Sequence, residues 1–157
     1  MSKKNIARLA AIFLSAALAL PILPAFAVDT TVSKDAPDLT AIRAKIKAKA
    51  YKTATADLYA IVDGGVQHAD VYNLLGFSLR KSGDRKTGAT FYAKALDFDP
   101  NHKGALEYQG ELFVEIGEMD KAKANLAKLV TLCPTGCEER EDLEKAIAGA
   151  ATAPKTN

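Results

Sequence analysis

The sequence predicts an all-α protein: a solenoid of about three helical hairpins closed by a C-terminal capping helix. Three observations carry this. First, marks recur at a spacing of 34 residues: Gly76 returns as Gly110, Gly83 as Gly117, Leu79 as Phe113 and Pro100 as Pro134. Second, the residues between them keep one order. The first copy reads Tyr72-x-x-Leu75-Gly76-x-x-Leu79, then Gly88-x-x-x-Tyr92, Ala95 and Pro100. The second reads Leu106-x-x-Gln109-Gly110-x-x-Phe113, then Ala122-x-x-x-Leu126, Leu129 and Pro134. Third, Leu143, Ala146, Ile147 and Ala150 recur at helical spacing beyond the last copy.

The chain opens with a segment outside this domain. Lys3, Lys4 and Arg8 precede an apolar run from Leu9 to Leu20, and Pro21 and Pro24 break it before the small-x-small site Ala25-Phe26-Ala27. This is the layout of a cleaved secretory signal peptide at 1–27, which implies a periplasmic protein. The run is short for a membrane span, so a retained anchor is the weaker alternative. No other stretch of the mature chain is apolar enough to span a bilayer. The full chain has 21 Lys+Arg and 19 Asp+Glu; three bases and no acid leave with the signal, so 18 bases remain against 19 acids. The mature net charge of about −1 gives no ground for nucleic-acid binding. Residues 28–37 read as a flexible lead.

The domain is expected at 38–150. Its first hairpin, 38–65, is degenerate. Stepping back one period from Gly88, Tyr92 and Ala95 gives Ala54, Leu58 and Ile61. Its first helix should start near Leu39 with Asp38 as N-cap and Ile42 and Ile46 on the apolar side. Lys49-Ala50-Tyr51 stands where later copies have Gly83-Asp84 and Gly117-Glu118, so this turn is the least defined. Arg43, Lys45, Lys47, Lys49 and Lys52 read as a solvated outer face, or as a basic docking patch.

The second and third hairpins are expected at 69–100 and 103–133. Gly76 and Gly110 sit mid-helix, where glycine costs about 1 kcal/mol against alanine; a close approach by a neighbouring helix of the hairpin would offset this. Thr135-x-x-Glu138 has the form of a capping box for the last helix, at about 137–150. Residues 151–157 should fray as a disordered tail.

These marks resemble the tetratricopeptide repeat. The strings Leu75-Gly76-Phe77-Ser78-Leu79-Arg80-Lys81-Ser82-Gly83-Asp84, Gly104-Ala105-Leu106-Glu107-Tyr108-Gln109-Gly110-Glu111-Leu112 and Leu132-Cys133-Pro134-Thr135-Gly136-Cys137-Glu138-Glu139 are similar to small exported tetratricopeptide proteins of proteobacteria over about residues 70–147. The resemblance implies a non-catalytic adaptor or scaffold that binds a protein or peptide partner in a concave groove. The stripe opposite the packing face carries Asp70, Asn73, Phe77, Arg80 and Lys81, then Glu107, Glu111, Val114 and Glu115. Asn73, Phe77, Arg80, Glu107 and Glu111 are the candidate partner-binding residues. Related repeats hold a carboxylate with Lys and Asn; the acids here argue against that and for a basic or amide-bearing partner. The competing reading is an exposed, solubilising face with Lys81 and Glu115 paired across repeats.

Cys133 and Cys137 flank a Pro/Gly turn. In an exported protein the leading reading is a structural disulfide. A redox thiol pair and a copper or zinc site remain as alternatives; the spacing resembles Sco-type copper chaperones, whose strand pattern is missing here. His102 follows Pro100-Asn101 at a helix start and reads as a surface residue. No phosphate loop, HExxH or nucleophile elbow occurs. No catalytic residue, metal ligand or cofactor is assigned.

The cleavage site predicts a mature protein beginning at Val28. N-terminal sequencing of exported protein checks this, and a full-length membrane-bound species would contradict it.

Overall fold

The computed structural model describes residues 36–152. The expected signal segment 1–27, most of the expected lead 28–37 and residues 153–157 lie outside the described residues. Within them the chain is all-helical: α1 (Thr40–Lys47), α2 (Tyr51–Asp63), α3 (Ala69–Lys81), α4 (Arg85–Phe98), α5 (Lys103–Glu115), α6 (Met119–Leu132) and α7 (Glu138–Thr152). The pairs α1/α2, α3/α4 and α5/α6 are hairpins, and α7 lies against both α5 and α6. None of these helices is long and apolar enough to cross a membrane.

Each hairpin turn is built alike. The Asp84 N–H reaches the Leu79 carbonyl at 3.0 Å, and the Gly83 N–H reaches the Arg80 carbonyl at 3.0 Å. The same pair of bonds closes α5 through Glu118 and Gly117, and α1 through Ala50 and Lys49. This bonding is the Schellman arrangement, which needs a left-handed residue at its centre. Gly83 and Gly117 supply it at φ 99° and 80°, and Lys49 adopts φ 59° in the same place. The first turn therefore keeps the repeat geometry although its sequence hides it.

Core positions follow the period. Ala54, Leu58, Tyr92, Ala95, Ala122 and Leu129 are all fully buried. Burial of side chains this size contributes about 1.5–3 kcal/mol each for the larger ones. Tyr72 of α3 stacks on Phe91 and Phe98 of α4 within the second hairpin, and Tyr59 of α2 meets Phe91 edge-on at 5.8 Å, which joins the first hairpin to it.

The two mid-helix glycines meet different neighbours. An added Cβ at Gly76 would lie 2.6 Å from the Tyr92 ring on the partner helix α4. At Gly110 it would lie 2.6 Å from Leu143 Cδ2, which belongs to α7 rather than to the hairpin partner α6. The expectation of an intra-hairpin contact holds for Gly76 and is corrected for Gly110. The backbone itself comes nearest at Gly88, where a Cβ would stand 2.9 Å from the Gly76 carbonyl oxygen.

Three helix ends also differ from expectation. Leu39 is the N-cap residue of α1, and Asp38 instead accepts the Thr40 N–H at 2.9 Å from one position further out. Hydrogen bonding by Thr40, through its side chain and then its backbone N–H, holds the Asp38 carboxyl below its usual range. α7 begins at Glu138, so Thr135 is in the preceding turn and the capping box does not form. At the other end, α7 continues through Ala151 and Thr152, the first two residues of the expected tail. Cys133 and Cys137 are joined as a disulfide across this turn, with their Cα atoms 6.0 Å apart.

Two substitutions test this packing in thermal melts. Lys49→Gly should stabilise the protein by about 1 kcal/mol by relieving a side chain in left-handed geometry. Gly110→Leu should cost about 3 kcal/mol or more, because it must displace Leu143 and with it α7. Wild-type melting in both would contradict the account.

Candidate functional site

α3 is the most buried helix, because α2, α4 and α5 all pack on it. Its polar residues are therefore drawn into the fold. Arg80 is 6% exposed, and its guanidinium crosses to α5. Nη1 donates to Glu111 Oε2 at 2.8 Å and to the Tyr108 carbonyl at 3.2 Å; Nη2 and Nε donate to Glu115 Oε1 at 2.7 and 3.1 Å. Arg85 Nε adds a bond to Glu115 Oε2 at 3.0 Å. Burial works against the Arg80 charge, but Glu115 and Glu111 outweigh it and keep the group firmly protonated. Burial also opposes the Glu115 charge, and the two arginines more than compensate, lowering its pKa.

This network corrects the picture of an open stripe. Arg80 is an internal clasp rather than a free cation, and Glu111 faces it. The inter-repeat partner of Glu115 is Arg80, not Lys81, whose ammonium instead sits 5.3 Å from the Phe77 ring centre. Phe77 is half-buried between Tyr51 of α2 and Tyr108 of α5, with ring centres 6.3 and 4.7 Å away. Its aromatic surface already joins three helices.

Asn73 and Glu107 are placed elsewhere. They line a cavity of about 300 Å³ bounded by α1, α3, α5 and α7. Its walls hold five carboxylates, on Asp70, Glu107, Glu138, Glu139 and Asp142, against Arg43 and His102. Leu74 and Tyr108 supply apolar and aromatic surface. Of the sequence candidates, the structure thus brings Asn73 and Glu107 together here, and sets Arg80 and Glu111 in the adjoining clasp. The α7 acids were missed because they lie on the helix read only as a cover; the acidic run Glu138-Glu139 was the available signal.

The imidazole of His102 is not a surface group. Its Nδ1 accepts the Ala105 N–H at 3.0 Å as the N-cap of α5. The proton is therefore on Nε2, which donates to Asp70 Oδ1 at 3.1 Å. Arg43 Nη2 donates to the same oxygen at 3.3 Å. His68 caps α3 in the same way, accepting the Asp70 N–H at 3.1 Å. Asp70 Oδ1 is thus held by two donors of the protein.

Glu107 is not. It is 7% exposed and has no ion-pair partner among the described residues. Burial, then the charges of Glu111, Asp142, Glu139 and Glu138, push its carboxyl up to about 8. Burial and the neighbouring Glu107 likewise push the Tyr108 hydroxyl up to about 12. Asn73, 4% exposed, has a buried carbonyl oxygen with no hydrogen-bond partner. Among the described residues no three His, Cys, Asp or Glu side chains converge as a metal site.

An all-helical repeat fold with a polar cavity on one face defines a helical-repeat protein. Comparison gives the repeat its class: residues 69–102 match the tetratricopeptide repeat family model. A curated relative, "Uncharacterized protein ycf37" of Pyropia yezoensis, is 32% identical over 72 residues. The match covers 46% of this chain and 40% of that protein, so the chain spans about two fifths of the length of the relative it matches.

The position of Glu107 predicts a pH dependence. Its folded pKa lies above the ordinary carboxyl value, so the folded state holds a proton that the unfolded chain has lost. That contribution is complete below the ordinary value of 4.5, falls as pH rises, and is gone once pH passes about 8. Wild type should lose about 1–3 kcal/mol over this window relative to Glu107→Gln. Parallel melting curves for the two proteins from pH 5 to 8.5 would contradict this.

Proposed function

We propose that the protein is a non-catalytic adaptor of the periplasm, and that it holds a segment of a partner protein in the groove formed by α1, α3, α5 and α7. The fold supports binding rather than chemistry: tetratricopeptide repeats are protein-interaction modules, and one matches at residues 69–102. The observation that carries the reading is the cavity crossing four helices, with polar groups that the fold leaves unsatisfied. The export signal Met1–Ala27 and the Cys133–Cys137 pair support the compartment.

The site residues divide by role in this reading. Asn73 and Glu107 meet the partner inside the cavity. Arg80 and Glu111 hold α3 and α5 at the separation that keeps it open, and Phe77 braces the same helices beside Tyr108. The excess of acid around the cavity favours a basic segment over an acidic one.

A photo-crosslinking amino acid placed at Glu139 or Asp142, in the groove, should trap one partner identifiable by mass spectrometry. The same group at Lys123 or Lys128, exposed on α6, should trap none. Adducts that form equally from α6, or only from α6, would move the binding surface to the other face.

A further inference from the structure

The acids around the cavity are not equivalent. Asp70 is held by Arg43 and His102, Glu139 faces Lys103 at 3.9 Å, and Asp142 accepts from Lys145 at 2.9 Å. Glu107 is the buried one, and among the described residues no ion pair engages it. Beside it on α3, the Asn73 carbonyl oxygen is buried without a donor. A buried acceptor left empty costs about 1–3 kcal/mol unless a partner supplies the missing N–H. A carboxyl without an ion-pair partner among the described residues and an unpartnered amide carbonyl, lining one cavity, are the complement of a group rich in N–H bonds and positive charge.

We propose that this cavity receives one lysine or arginine side chain of the partner segment, with Glu107 as its counter-ion and Asn73 as its second acceptor. The proposal rests on the groove reading above and assigns it a specificity. Leu74 and the Tyr108 ring would flank the methylenes of the entering side chain and the face of its cation. Glu138, exposed at the start of α7, stands at the rim where the cation enters. An organic cation fits better than a metal ion, since the acids do not converge. An entering cation favours the ionised carboxylate, against the burial and neighbouring acids that otherwise keep Glu107 protonated. Carboxylate-binding is excluded on the same charges.

The test titrates the purified full chain with five-residue peptides, acetylated and amidated, of sequence Gly-Gly-X-Gly-Gly, followed by NMR. X is arginine, lysine, citrulline, norleucine or glutamate. Arginine or lysine should give saturable shifts of the Asn73 side-chain amide and of Tyr108. Citrulline, which keeps the shape of arginine without the charge, should bind at least about tenfold more weakly. Glu107→Gln should lose about tenfold for the cationic peptide while its amide spectrum stays that of a folded protein. Equal binding of citrulline and arginine, or unchanged affinity in Glu107→Gln, would overturn the assignment. No saturable binding of any cationic peptide, with crosslinking from Glu139 intact, would sink this specificity and leave the adaptor reading standing. Cationic binding with no groove crosslink would do the reverse.

Discussion

The arrangement of the groove depends on one buried charge. Arg80 leaves α3 with almost no solvent exposure, and its guanidinium meets two carboxylates and a backbone carbonyl of α5. Removing a guanidinium from water is costly, and a single surface partner would not offset it. Forked bonding to Glu111 and Glu115, with Arg85 on the far oxygen of Glu115, supplies the compensation. The outcome is a clasp between the second and third hairpins at a defined separation. Hydrophobic stacking could tolerate some sliding; a planar donor group shared among fixed acceptors does not.

That clasp also sorts the acids. Glu111 and Glu115 are neutralised by it, while Glu107, one turn earlier on α5, lines the cavity without an ion-pair partner among the described residues. Asp70 is engaged separately, by the Arg43 guanidinium and by a hydrogen bond from the His102 imidazole. What looks in sequence like a continuous acidic row is therefore one isolated carboxyl beside several satisfied ones. The acids contributed by α7 deepen the effect, because they raise the negative potential without offering Glu107 a partner. α7 thus has two roles: Leu143 covers the apolar side of α5 at Gly110, and its first turn closes one wall of the cavity.

How far the fold could be read depended on whether a position was set by local or by distant neighbours. The turns at Gly83 and Gly117 were legible because the left-handed residue was the one that strongly prefers that geometry. The first turn was obscured because Lys49 adopts it against preference, held by the same backbone bonds. Gly110 signalled a close contact but not its owner. Helical periodicity says that something must approach, and only the stacking of α7 on α5 makes that something Leu143. The capping box at Thr135 failed because the turn closed by Cys133 and Cys137 delays the start of α7 to Glu138.

The site divides along the same line. By itself the sequence determined an all-α repeat architecture and which helix faces carry polar groups, because both follow from spacing along one chain. Only the tertiary structure decided which of those groups face solvent. Helical period distinguishes the face packed within a hairpin from the face opposite it, but α3 is also covered by the next hairpin. Asn73, Arg80 and Glu107 lie on the polar side by period and are nonetheless buried. The Arg80 pairings run over 28 to 35 residues, between helices whose relative placement no local signal contains.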